Sequence, residues 1–180
     1  VGNQIKGENM QTENLIVRRF NHDDITDFTE LIRDKMSSVY SKYDYQYPVD
    51  DISLREILNY FTKSDEFFAV VLKTSAKVIG FLTLNNCGEP RVRNLGYCIH
   101  SQYQGKGYGT EAVIELIRYV KEELKLKKLI TGTAQENIPS VRLLTSVGFM
   151  KTGESSASFV KDEKGNPVEF LGFSYELLLD

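Results

Sequence analysis

The chain has 180 residues, 41% of them hydrophobic and 26% charged, with 13 glycines, 4 prolines and a formal net charge of −3. That composition fits one globular domain and excludes collagen-like, low-complexity and disordered classes. It also argues against a basic nucleic-acid binder, and no apolar run approaches the ~20 residues that span a bilayer.

Residues 1–13 are polar and glycine-containing and are expected to form a loose tail. Residues 14–180 then make up the domain. Leu15 to Phe20 reads as a strand, and Asn21-His22-Asp23-Asp24 as a helix start. Ile25, Phe28, Leu31 and Ile32 recur at helical spacing, until Tyr40 to Pro48 breaks the pattern. Leu54, Ile57, Leu58 and Phe61 mark a second helix over 53–62. Strands follow at Phe67 to Leu72, Val78 to Leu84 and Val92 to Ile99, joined by turn-like segments. Tyr108 to Leu126 is the strongest helix, with Val113, Leu116, Ile117, Val120 and Leu124 on one stripe. Lys128 to Thr133 is a strand, and Pro139 to Val147 a short helix stopped by Gly148. Phe149 to Gly153 and Val168 to Leu178 close the chain as strands. The order predicts an α+β fold with a mixed, mostly antiparallel central sheet flanked by helices.

Two cysteines, Cys87 and Cys98, cannot make a disulfide-rich scaffold, and His22 and His100 lie far apart. No metal site is expected, since neither CxxC nor HExxH spacing occurs. Residues 1–10 carry no apolar signal core, so a reduced, cytoplasmic protein is expected.

The informative stretch is Tyr97-Cys98-Ile99-His100-Ser101-Gln102-Tyr103-Gln104-Gly105-Lys106-Gly107-Tyr108-Gly109-Thr110. A strand enters a glycine-rich loop, which enters an amphipathic helix. Glycines let backbone amides turn toward a ligand, and a helix N-terminus offers unpaired N–H groups and partial positive charge. Together they suit phosphate groups. A P-loop does not fit, because Gly107 follows Lys106. The dinucleotide fingerprint does not fit either, because the glycines stand at 105, 107 and 109.

Gln104-x-x-Gly107-x-Gly109 resembles the Q/R-x-x-G-x-G/A loop of the GCN5-related N-acetyltransferase (GNAT) superfamily. Asn137-x-x-Ser140 at the next helix start and Gly148-Phe149 at its end extend the resemblance. Within that superfamily the chain looks most like the RimJ/RimL-type branch, which acetylates ribosomal proteins. The resemblance implies an acyl-CoA N-acyltransferase fold and acetyl-CoA as donor. Its pyrophosphate would rest on amides of Gln104, Gly105, Lys106, Gly107, Tyr108, Gly109 and Thr110. Its pantetheine arm would lie between the strand ending at Ile99 and the strand 128–133, where backbone groups near Ile99 pair with it. Asn137 would hydrogen-bond the arm, and Ser140 would sit near the sulfur.

The implied reaction is direct attack of an amine on a thioester in a ternary complex. The amine must lose a proton, the oxyanion needs donors, and the thiolate needs a proton or hydrogen bond. Backbone N–H groups near Ile99 are candidates for the oxyanion. Ser140 and Asn137 are the expected catalytic residues, with Ser140 serving the thiolate.

Two positions depart from the family pattern. Many relatives carry a glutamate two residues before the Gly-Tyr pair, where this chain has Asn94, and many carry a tyrosine acid where it has Leu144. Glu136 is a candidate proton relay or a helix-start acid, with Glu89 and Glu169 as reserves. Without the usual acid, a protein N-terminal α-amine, with a reference pKa of ~7.7–8.0, is favoured over a lysine amine at ~10.4. Small-molecule amines stay open. Tyr40, Tyr43, Tyr45 and Tyr47 either cover the acceptor or pack as structure. Cys98 reads as a small apolar residue. The alternatives are a non-catalytic acyl-CoA-binding module or sensor, and a nucleotide-binding enzyme using the same loop. The expected partners are acetyl-CoA and an amine acceptor, with no membrane or nucleic acid, in a monomer or homodimer.

Overall fold

A computed structural model describes residues 10–179. Eight strands form one sheet in the order β1-β2-β3-β4-β5-β6-β8-β7. These are β1 (Met10–Gln11), β2 (Leu15–Arg19), β3 (Phe67–Leu72), β4 (Lys77–Asn86), β5 (Val92–Ile99), β6 (Lys128–Ala134), β7 (Met150–Ala157) and β8 (Phe170–Leu178). Every pairing is antiparallel except that of β5 with β6. The helices are α1 (Ile25–Ser37), α2 (Asp51–Lys63), α3 (Tyr108–Glu122) and α4 (Ile138–Ser146). The mixed, mostly antiparallel sheet is as the element order predicts.

Strand alternation divides the core into two layers. On one face, Phe28, Leu31 and Ile32 of α1 and Leu54, Leu58 and Phe61 of α2 pack on Ala69, Val71 and Phe81. On the other face, Val113, Leu116 and Val120 of α3 and Leu144 of α4 pack on Leu15, Val17, Val70, Leu82, Leu95 and Leu129. A bulge in the β3–β4 ladder leaves Ile79 without a Cα partner. Ile79 therefore joins the α3 layer, whereas Val78 and Phe81 join the α1/α2 layer.

Several boundaries differ from expectation. Met10 and Gln11 fall within the stretch expected to be a loose tail, yet they pair with β2, and Met10 is buried in the core. Thr12 and Glu13 lie in the turn from β1 to β2, where Thr12 N donates to the Leu15 carbonyl, and residues 1–9 lie outside the described residues. The α3 helix ends at Glu122 rather than Leu126. Lys125 turns left-handed (φ 51°), and the Leu126 N–H bonds back to the Val120 carbonyl, which buries Leu126. β7 runs on to Ala157 because β8 pairs with it throughout. β8 in turn begins at Phe170, after an irregular stretch that contains Val168.

Candidate active site

β5 and β6 share backbone pairing at three positions only, Val92–Asn94 against Lys128–Ile130. Beyond them β5 pairs only with β4, and β6 only with β8. Thr131 Oγ1 marks the base of this cleft by donating to the Leu95 carbonyl at 2.8 Å. The cleft thus opens along Gly96–Ile99 on one side and Thr131–Ala134 on the other.

The glycine loop sits at the open end of β5. A 3-10 turn over Ser101–Tyr103 leads into it. The Asp34 carboxylate of α1 holds that turn by accepting from both Ser101 N and Ser101 Oγ. Gln104 ties the loop to the end of β5, with its second Nε2 hydrogen left over. Its amide donates to the Ser101 carbonyl at 3.2 Å, and its Nε2 to the Ile99 carbonyl at 2.7 Å. Gly105 (φ 72°) and Gly107 (φ 84°) are left-handed. Gly107 is also the N-cap of α3, and no side chain caps that helix. The first-turn amides of Tyr108, Gly109 and Thr110 are therefore left for an outside acceptor. Gly109 has a different reason to be glycine: a Cβ there would lie 3.2 Å from Leu143 Cδ1. Lys106 holds its ammonium 5.5 Å from the Tyr103 ring centroid, and Tyr108 packs against the α3-side core.

On the other wall, Asn137 caps α4 by accepting from Ser140 N at 3.3 Å. Ser140 Oγ then lies 2.6 Å from the Tyr97 hydroxyl. Tyr97 comes from β5, so this hydrogen bond spans the cleft. Burial pushes the Tyr97 phenol up to about 12, the Ser140 hydrogen bond opposes the rise, and Tyr175 adds to it. Tyr97 is therefore protonated at neutral pH. Sequence reasoning noted it only as half of a Gly-Tyr pair. The available signal was its alternation with the buried Leu95 and Ile99, which places it on the α3/α4 face.

The remaining candidates separate. Asn94 is exposed and paired in register with Asn85. Leu144 is fully buried in the core. Cys98 packs on the α1/α2 layer, and burial raises its thiol to about 12. His100 is buried; its Nδ1 accepts from Gln102 N at 3.2 Å, and its Nε2 lies 3.6 Å from Glu30 Oε1. Tyr47 packs edge-on against Phe81, and Tyr45 against Tyr47. Tyr43 instead reaches across to Glu136 and donates its hydroxyl to Oε2.

The uncapped helix start, the open left-handed glycine turn and the unpaired strand edges fit a long cofactor with a diphosphate and an amide-bearing arm. Such a cofactor is an acyl-CoA, and the features present are those an acyl-CoA-dependent transferase needs. The family model for the acetyltransferase (GNAT) domain matches residues 14–150, and the chain belongs to that family of N-acetyltransferases. It is 27% identical to the prophage-derived N-acetyltransferase YokL of Bacillus subtilis over 144 residues, 79% of each chain. Other Bacillus relatives match over about half of their own length. The fold is shared with the ribosomal-protein-S5-alanine acetyltransferase of Vibrio fischeri (TM-score 0.79, 20% identity, 96% of this chain and 97% of that one). It is equally shared with a Vibrio cholerae spermidine N-acetyltransferase solved with CoA and spermine (TM-score 0.75, 21% identity, 93% and 97%). No helix among the described residues is long and apolar enough to cross a membrane.

Proposed function

We propose that this GNAT acetyltransferase moves the acetyl group of acetyl-CoA to a primary amine by direct attack, with protein N-terminal α-amines as favoured acceptors. The observation that carries the reading is the Tyr97–Ser140 hydrogen bond of 2.6 Å across the β5–β6 cleft. When bound, acetyl-CoA supplies an acetyl group activated as a thioester.

The chain's own groups divide the work. The free amides of the Gly105–Thr110 turn hold the diphosphate, with Lys106 adding a cation at the rim. Backbone groups along Gly96–Ile99 hold the arm and offer an N–H to developing negative charge. Asn137 spends its Oδ1 on the α4 cap, which leaves Nδ2 for a carbonyl of the arm. As the C–N bond forms and the C–S bond breaks, Tyr97, kept protonated by burial, gives its proton to the leaving sulfur, the amine nitrogen loses its proton to water, and water returns one to Tyr97, whose hydroxyl Ser140 orients.

No carboxylate stands at position 94 to take the amine proton. An acceptor already partly neutral near pH 7 meets this limit best, and α-amines do so where lysine amines do not. The test is CoA thiol release with acetyl-CoA and a panel of N-terminal peptides, lysine, spermidine and aminoglycosides, against an acceptor-free control. Release with the peptides is expected. Its rate should level off near pH ~8 for α-amines and keep rising toward ~10 for ε-amines. Preference for ε-amines at pH 7 contradicts the acceptor reading. Bound acetyl-CoA with no release for any amine returns the non-catalytic module.

A further inference from the structure

The glycine loop is entered through a stretch of backbone whose amides are all spent inside the protein. His100 N donates to the Ile79 carbonyl at 2.8 Å, Ser101 N to Asp34 Oδ2 at 2.8 Å, and Gln102 N to His100 Nδ1 at 3.2 Å. Tyr103 N turns back to the His100 carbonyl at 2.9 Å, and Gln104 N to that of Ser101. The amides assigned above to the diphosphate begin at the next residue, Gly105. Where those amides point is therefore decided by what holds residues 100–104.

Two side chains hold them. Asp34, near the end of α1, is half-buried, and its second oxygen accepts from Ser101 Oγ. His100 is buried, and its ring meets that of Tyr103 edge-on at 5.9 Å, with the Lys106 ammonium over the Tyr103 ring. A ring nitrogen that accepts a hydrogen bond carries no proton, so His100 is a neutral imidazole with its hydrogen on Nε2. That N–H faces two carboxylates of α1, Glu30 Oε1 at 3.6 Å and Asp34 Oδ1 at 3.8 Å. Glu30 also takes the Lys77 ammonium of β4 at 2.6 Å, which offsets its pull on the ring. Cys98, two residues back, stays protonated and adds no charge. A second proton on His100 goes to Nδ1 and sets two donors, that nitrogen and Gln102 N, against each other.

We propose that Asp34 and neutral His100 are positioning residues for the cofactor loop, and that protonation of His100 loosens the loop's grip on acetyl-CoA. The proposal rests on the cofactor reading above. Both side chains act through the backbone of residues 101–104 rather than on the diphosphate.

Calorimetric titration with acetyl-CoA at pH ~8 and pH ~5.5 tests this, since histidine changes charge between those values. At the higher pH, Asp34→Ala should bind acetyl-CoA ~10-fold more weakly than wild type. His100→Leu, which offers no acceptor to Gln102 N, should do the same. His100→Asn keeps an acceptor oxygen at the δ position without a titrating ring, and should match wild type within about threefold. At the lower pH, wild type should lose ~3-fold more affinity than His100→Asn loses, because the cofactor's own phosphates titrate alike against both proteins. Should His100→Leu fail to fold, the comparison of wild type with His100→Asn decides alone. A lowered Tm with unchanged acetyl-CoA affinity in Asp34→Ala and His100→Leu makes the contacts structural and overturns the proposal. Equal pH dependence in wild type and His100→Asn overturns it too. Absence of binding by wild type contradicts the cofactor reading itself, and the positioning role falls with it.

Discussion

Tyr97 and Cys98 are neighbours on β5, yet alternation sends one into the cleft and the other into the α1/α2 core. Burial raises both groups to about 12, so both keep their protons at neutral pH. For Cys98 this means an inert thiol, whereas Tyr97 keeps its hydroxyl proton for a hydrogen bond at the cleft. Gly107 is limited by backbone and charge rather than space, since no heavy atom lies within 4 Å of a Cβ built there, while φ is +84°. Gly107→Ala should weaken acetyl-CoA binding by at most ~30-fold, through left-handed strain of about 1–2 kcal/mol. Gly107→Glu adds a carboxylate at the diphosphate turn and should abolish measurable binding in calorimetry. Equal affinity in wild type and Gly107→Glu would remove the loop from the cofactor site.

At the scale of elements, α3 is tied to the chain start by one carboxylate. Glu111, in the first turn of α3, accepts from Thr12 Oγ1, from Asn14 N at 2.9 Å and from Asn14 Nδ2 at 3.0 Å. Burial alone would raise this carboxyl, but the hydrogen bonds from Thr12 and Asn14, with Lys73 nearby, bring it below its ordinary value. A carboxyl depressed in the folded state contributes stability that is present above the unfolded value of ~4.3. That contribution is lost as pH falls through the folded value. Glu111→Gln should therefore have a lower Tm than wild type at pH 7, and the gap should close below about pH 4. A gap independent of pH contradicts the tie. This contact also explains why β1 was hidden in the sequence. Its partners are Val17 and Ile16 in register, with Glu111 anchoring the adjoining turn, and no local pattern announces them. By contrast, α3 was legible from its stripe alone, apart from an end set by the left-handed Lys125.

Over the whole molecule, the two packed layers meet the cleft from opposite faces of the sheet. Ser140 and Tyr97 lie on the α3/α4 side, and Tyr43 arrives from the segment between α1 and α2. The element order and the glycine loop were legible because they follow hydrophobic period and turn chemistry. The cleft was expected only through the family resemblance, because no local pattern shows where a ladder stops: after Asn94 and Ile130, with Thr131 bonded to Leu95. Ser140 was a candidate only through the resemblance of Asn137-x-x-Ser140 to the family's motif. Its partner Tyr97 was not, because 43 residues separate them and only the fold joins them. The Glu136–Tyr43 contact is of the same kind, its members being 93 positions apart.

The decisive measurement is the single-turnover rate of CoA release by Tyr97→Phe at saturating acetyl-CoA and a fixed N-terminal peptide, with acetyl-CoA affinity measured alongside. Loss of a proton donor to the leaving sulfur should slow release by ~10²-fold, within the usual range for acid–base groups, while affinity changes by about threefold or less. Ser140→Ala should slow it less and add little to Tyr97→Phe in the double variant, because the two hydroxyls act as one unit. An unchanged rate in Tyr97→Phe would show that the hydrogen bond across the cleft is structural and that the leaving group is served from elsewhere.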